Sequence, residues 1–176
     1  MKLYIIENYK DMYGDLKGSE LTDALIFYCL EDYRQGFRFE IFRTERGKPY
    51  LKGSEKLFLS VSHSENTFAC IFSDTEVGLD IQYERGVAAQ KITRRYFTAE
   101  EQLYIGEDMN KFFRIWTRKE AYAKYMGNGL EAVINGTDVL NRDDVVFTEF
   151  MHEDLIHIAF CTKTGKDGTY EIQVFD

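Results

Sequence analysis

Apolar and polar positions change their period several times along the chain. Leu3-Tyr4-Ile5-Ile6 is a short apolar run and predicts a strand. Apolar residues then recur at Leu21, Ala24, Leu25, Tyr28 and Cys29, a helical spacing, with Ser19 placed as N-cap and Gly36 as the stop. Phe37, Phe39 and Ile41 alternate with Arg38 and Glu40, the period of a half-buried strand. Arg46-Gly47-Lys48-Pro49 follows as a turn holding the only proline. Three β-like segments come next, Leu57–Ser62, Thr67–Phe72 and Val77–Tyr83. The short polar Ser73–Glu76 between the last two reads as a hairpin connection.

Glu84 to Ala89 breaks the pattern and sets a boundary between an N-terminal half, 1–86, and a C-terminal half, 87–176. The linker is short, so the halves are expected to pack as one unit. A helical stretch over Ala88–Tyr96 opens the second half. Thr98-Ala99-Glu100-Glu101 then has the form of a capping box for another helix. Asp108 or Asn110 starts the longest helix, through Phe112, Phe113, Ile115, Trp116, Ala123 and Met126, with Gly127 at C′. Val145–Phe150, Leu155–Phe160 and Tyr170–Phe175 read as closing strands. Strands and helices mixed without regular βαβ alternation predict an α+β fold.

Composition narrows the classes. Hydrophobic residues make up 44% and aromatics 15% of the 176 residues, enough for a packed core rather than a disordered chain. A net charge of -8 argues against nucleic acid as the partner. Cys29, Cys70 and Cys161 each lie in an apolar stretch, without metal-ligand spacing, and read as buried free thiols of a reducing compartment. Met1–Asn8 carries Glu7 and lacks the apolar core of a signal peptide, and Ala24–Leu30 is too short to span a bilayer. A soluble, cytoplasmic protein with no membrane contact is the expectation.

Four clusters carry candidate chemistry. In Val77-Gly78-Leu79-Asp80-Ile81-Gln82, a strand points Asp80 and Gln82 to one face and Leu79 and Ile81 to the other. A carboxylate beside an amide oxygen suits a hard cation, and a solvated edge strand reads the same way. In Trp116-Thr117-Arg118-Lys119-Glu120-Ala121-Tyr122-Ala123-Lys124, Glu120 and Lys124 share a helix face, either as an ordinary ion pair or as a metal ligand and a phosphate-binding cation. Lys119 lies just off that face, where solvent exposure is expected. Ser60-Val61-Ser62-His63-Ser64 ends a strand with groups able to donate to a phosphate, or to bond the backbone in a turn. Gly47-Lys48-Pro49 presents Lys48 as a point charge from a turn.

In this order and spacing, the four resemble the 4'-phosphopantetheinyl transferase superfamily. The closer match is its larger branch, which fuses two similar halves in one chain and includes activators of peptide synthetases. The likeness runs from Gly47 to about Leu130 and is most specific around Asp80 and Trp116–Lys124. It implies two similar packed α+β halves in a pseudo-twofold relation, with coenzyme A bound between them. It implies a Mg2+-dependent transfer of phosphopantetheine to a carrier-protein serine, releasing adenosine 3',5'-bisphosphate. By the resemblance, Asp80 and Glu120 hold the metal, with Gln82 beside them. Lys48, Ser62, His63, Lys119 and Lys124 attend coenzyme A, and Glu101 accepts the serine proton. Glu101 is equally the third residue of the capping box, with Glu100 as the alternative acceptor.

Two departures bear on that picture. Many members carry Glu where this chain has Gln82, so a water could take that corner of a magnesium shell. The region before Lys48 is compressed, and the basic residues expected to grip a 3'-phosphate have only Lys17 as a stand-in. The acyl or peptidyl carrier is expected to be acidic and to dock on Lys91, Arg94 and Arg95, which share one helix face. A monomer is expected. The competing readings are a degenerate relative that binds coenzyme A or a carrier without transfer, and an unrelated magnesium-dependent phosphohydrolase.

Overall fold

A computed structural model describes residues 1–36, 38–53, 56–130, 136–165 and 169–176. The N-terminal apolar run becomes β1 (Lys2–Ile6), an inner strand whose Leu3, Tyr4, Ile5 and Ile6 are all fully buried. Both of its faces meet apolar layers, which is why the run is continuous rather than alternating. Tyr4 and Ile6 face α1 (Gly18–Tyr33), which packs Leu21, Leu25, Ile26, Cys29 and Leu30 against them. Leu3 and Ile5 face a second sheet. α1 begins one residue before Ser19, with Lys17 at the N-cap position and no side-chain cap, and it ends before Gly36 is reached.

β2 (Phe39–Arg43) and β3 (Pro49–Gly53) form an antiparallel hairpin around the Gly47 turn. Phe37, expected in β2, lies outside the described residues. β3 goes beyond the expected elements; its apolar residues Tyr50 and Leu51 are not fully buried and give little periodic signal. β4 (Phe58–Ser64) and β5 (Thr67–Ser73) pair antiparallel and extend the first sheet in the order β4-β5-β1-β9, where β9 (Glu171–Phe175) runs parallel to β1.

β6 (Val77–Tyr83) does not form a hairpin with β5. It pairs with β8 (Ile156–Lys163), beside β7 (Val145–His152), in a second sheet of order β6-β8-β7. The connection over residues 74–76 is therefore a crossover between stacked sheets. Stacking lets Val77, Leu79 and Ile81 bury against Leu3, Ile5, Ala69 and Ile71, a gain that an edge hairpin would forgo. The outer face of the second sheet is covered by α2 (Ala89–Tyr96), α3 (Ala99–Ile105) and α4 (Met109–Met126), through Phe97, Ile105, Phe112, Phe113 and Ile115.

Strand pairing does not divide at residue 86. β6, from the expected N-terminal half, belongs to the second sheet, and β9, from the expected C-terminal half, closes the first. The result is α+β with mixed and antiparallel sheets. In both sheets the first strand in sequence lies beside the last of its set, β1-β5-β4 and β6-β8-β7. Cys29, Cys70 and Cys161 are free and buried, as expected. Among the described residues no helix is long and apolar enough to cross a membrane.

Candidate active site

Two local devices bring the candidate residues together. The first is Gly78. A Cβ there would stand 2.0 Å from the Ala121 carbonyl oxygen and 2.4 Å from the Tyr125 nitrogen. Only glycine lets α4 lie this close to β6. The helix then presents Glu120 and Lys124, one turn apart, to the face of β6 that carries Asp80.

The second device is the alternation of Ser60, Ser62 and Ser64 on one face of β4. β4 and β6 share no strand ladder, yet the Ser60 hydroxyl accepts from the Leu79 N–H at 3.0 Å and Ser64 accepts from the Tyr83 N–H at 2.9 Å. Between them Ser62 donates to Asp80 Oδ1 at 2.7 Å. These bonds tie an edge of one sheet to an edge of the other and satisfy backbone donors that would otherwise be orphaned.

A cleft of about 620 Å³ opens where β4, β6 and α4 meet the β2–β3 turn. Lys48, Ser62, His63, Asp80, Gln82, Glu120 and Lys124 all line it, so residues spread over 77 positions converge on one space. Arg43, Arg46, Ser19 and Thr22 line it too. The sequence reading missed them because the hairpin's approach to the start of α1 leaves no local periodic signal. Arg43 is held by Asp23 at 2.5 Å and 3.1 Å. Lys17 is exposed and does not line the cleft.

The electrostatics suit a cation. Asp80, 5% exposed, takes Lys124 Nζ at 2.8 Å on the same oxygen that Ser62 reaches. Burial, then the neighbouring Asp80 charge, push Glu120 up to about 7, with Lys124 opposing them. Two carboxylates confined together favour either a proton or a metal ion between them. The Gln82 amide nitrogen donates to the Tyr83 carbonyl at 3.3 Å, leaving the amide oxygen as the end available to a cation. This all-oxygen set fits magnesium. Desolvation, then Lys124 and Lys10, hold His63 below the usual imidazole range, so it is a neutral hydrogen-bonding group at neutral pH. Lys48 pairs with Glu76.

Two expectations land elsewhere. Lys119 is fully buried rather than exposed, and neither it nor Glu101 lines the cleft. Their side chains form an ion pair at 2.8 Å with no solvent exposure on either partner. Glu101 also accepts from the Thr98 and Val139 N–H groups, both at 2.9 Å, and Lys119 donates to the Thr137 carbonyl at 2.5 Å. The capping box is complete in both directions, so Glu101 takes its capping role in full. Lys119 points inward because its position on α4 faces the α3 side. Glu100 is exposed on the first turn of α3, and Lys91, Arg94 and Arg95 are exposed on α2. Glu7, His152 and Glu153 bring three possible ligand atoms within 4.8 Å of one another, but none of them lines the cleft.

Two stacked sheets and a long helix that deliver paired carboxylates and lysines to one cleft place the protein in the class of α+β chains with a charged cleft between sheet and helix. Sequence comparison makes that class specific. The profile of the 4'-phosphopantetheinyl transferase superfamily matches residues 76–175, and the chain belongs to that superfamily. It is 29% identical to 4'-phosphopantetheinyl transferase gsp of Aneurinibacillus migulanus, over 73% of this chain and 54% of that protein. It is 25% identical to 4'-phosphopantetheinyl transferase Sfp of Bacillus subtilis (strain 168), over 80% and 64%. With 4'-phosphopantetheinyl transferase AcpT of Escherichia coli (strain K12) it shares 30% identity over 71% and 67%. The chain thus spans from about half to two thirds of the length of these curated relatives.

Proposed function

We propose that this chain transfers the 4'-phosphopantetheine arm of coenzyme A to a serine hydroxyl of an acyl or peptidyl carrier protein, a reaction of the holo-[acyl-carrier-protein] synthase type. The serine hydroxyl gives its proton to water in the cleft as its oxygen bonds to the β-phosphorus, the bond from that phosphorus to the bridging oxygen breaks, and adenosine 3',5'-bisphosphate leaves with the bridging oxygen. The observation that carries the reading is the convergence of Asp80, Glu120 and Lys124 from β6 and α4 in one cleft with Lys48 and His63. Phosphoryl transfer needs placement and charge neutralisation more than covalent help from the protein.

In this reading Asp80 and Glu120 hold magnesium, with Gln82 or a water beside them. The bound ion would neutralise charge on the pyrophosphate. Lys124, Lys48 and His63 orient the phosphates. Arg46, at the cleft mouth near Gly129, and Arg43 take the 3'-phosphate end in place of Lys17. Full burial, the mutual ion pair and three backbone partners support a bracing role for Glu101 and Lys119, and Asp80 and Glu120 are the carboxylates that line the cleft. The shared strand order of the two sheets supports the pseudo-twofold relation of the halves. Lys91, Arg94 and Arg95 form the docking surface, and the protein acts as a cytoplasmic monomer.

Intact mass spectrometry tests the reading. An apo carrier incubated with the protein, coenzyme A and Mg2+ gains about 340 Da, one phosphopantetheine in this chemistry. Asp80→Ala and Glu120→Ala abolish the gain. An unmodified carrier across acyl and peptidyl types rejects the proposal.

A further inference from the structure

The family resemblance makes Ser62 a phosphate donor, and the hydrogen bonds around it point to a different task. We propose that Ser62 is a positioning residue that fixes the Asp80 carboxylate so that Oδ2 is presented to a divalent cation. The inference rests on the reading of Asp80 as a metal ligand.

A serine hydroxyl carries one proton. In Ser62 that proton is committed to Asp80 Oδ1 at 2.7 Å, in a site where Ser62 is 7% and Asp80 5% exposed. A hydroxyl so engaged has only lone pairs left, and these repel a phosphate oxygen. The hydroxyl is also not free to be recruited elsewhere. The rungs on either side of it, Ser60 to Leu79 N–H and Ser64 to Tyr83 N–H, hold β4 at a set distance from β6 and aim the middle rung at the one carboxylate between them.

The consequence falls on Asp80. Lys124 Nζ reaches the same Oδ1 at 2.8 Å, so one oxygen takes two donors. Oδ2 accepts no hydrogen bond among the described residues. Two donors on one oxygen lock the carboxylate's rotation and leave the other oxygen's lone pairs for a cation. Hydrogen-bonded partners of metal ligands act in this way, and their loss typically lowers metal affinity by about 10–100-fold.

Mn2+ serves as the probe, with free ion counted by electron paramagnetic resonance on the whole protein without coenzyme A. Coenzyme A binding is measured separately by calorimetry in chelator. Ser62→Ala is expected to weaken Mn2+ binding about tenfold or more, with coenzyme A affinity in chelator unchanged. Ser62→Thr, which keeps the hydroxyl, restores most of the Mn2+ affinity. Ser64→Ala removes a rung that does not itself touch Asp80, and it weakens Mn2+ binding less than Ser62→Ala does. The proposal is overturned if Ser62→Ala binds Mn2+ normally and loses coenzyme A instead, or if Ser64→Ala weakens Mn2+ equally. Asp80→Asn separates the two levels: wild-type Mn2+ binding in that variant removes the metal-site reading itself. Loss there with no loss in Ser62→Ala removes only the role of Ser62.

Discussion

At the residue scale, Glu120 couples the site to the stability of the fold. Its ordinary value is 4.5, and burial with Asp80 nearby raises it to about 7. Between those values the folded protein keeps a proton that the unfolded chain has released. Stability contributed by the protonated residue is therefore complete below about pH 4.5 and is lost as pH rises through about 7. Glu120→Gln is neutral throughout and escapes this loss. It should be more stable than the metal-free wild type near pH ~8 by on the order of 1–3 kcal/mol, an advantage that vanishes below pH ~4.5. Urea unfolding across that range checks it, and a difference independent of pH would refute the assignment. The same residue shows what local pattern reveals. Glu120 and Lys124 are legible as a shared helix face, and Asp80 as the polar side of a strand. Their meeting is not, because it depends on which helix crosses which strand.

At the element scale, that crossing rests on Gly78. The atoms its Cβ would strike are backbone, so no side chain can rotate out of the way. Gly78→Ala must push α4 outward and carry Glu120 and Lys124 away from Asp80. Overpacking of this kind costs about 2–3 kcal/mol, and equilibrium unfolding with Mn2+ titration should show lost stability together with weakened metal binding. Wild-type values for both would mean that the helix has room to spare. The sequence reads Gly78 only as part of a motif, because close approach is a property of two elements and not of one. α3 was more legible, since Thr98 and Glu101 announce a capping box in four residues and the structure completes it. The sequence did not show that the same carboxylate also binds Lys119 from α4. Removing one member of a fully buried pair costs about 3–5 kcal/mol. Glu101→Gln should unfold at markedly lower denaturant, whereas Glu101→Gln with Lys119→Met, which keeps an acceptor for the backbone and leaves no lone buried charge, recovers part of the loss. A Glu101→Gln variant of wild-type stability that has lost only turnover would return Glu101 to proton transfer.

At the scale of the whole molecule, strand existence was legible for every strand but β3, and strand partnership was not. β6 and β9 each join the sheet opposite to the one their position suggests, because pairing follows which apolar faces can be buried together. The distribution of charge carries the last expectation. A net charge of -8 repels an acidic partner at long range. Under the proposed function an acidic carrier needs a local counter-patch, and the candidate is exposed Lys91, Arg94 and Arg95 on α2, which follows β6, the strand that holds Asp80. Rim charges of this sort govern encounter rate and salt dependence rather than the chemical step. Arg94→Glu with Arg95→Glu should raise the carrier KM about tenfold, leave coenzyme A affinity unchanged, and flatten the rise of KM with salt, since the attraction that salt screens is gone. Steady-state kinetics on the carrier at two ionic strengths reads all three. If KM and its salt dependence stay at wild-type values, α2 is a solvated face and the carrier approaches the cleft from elsewhere.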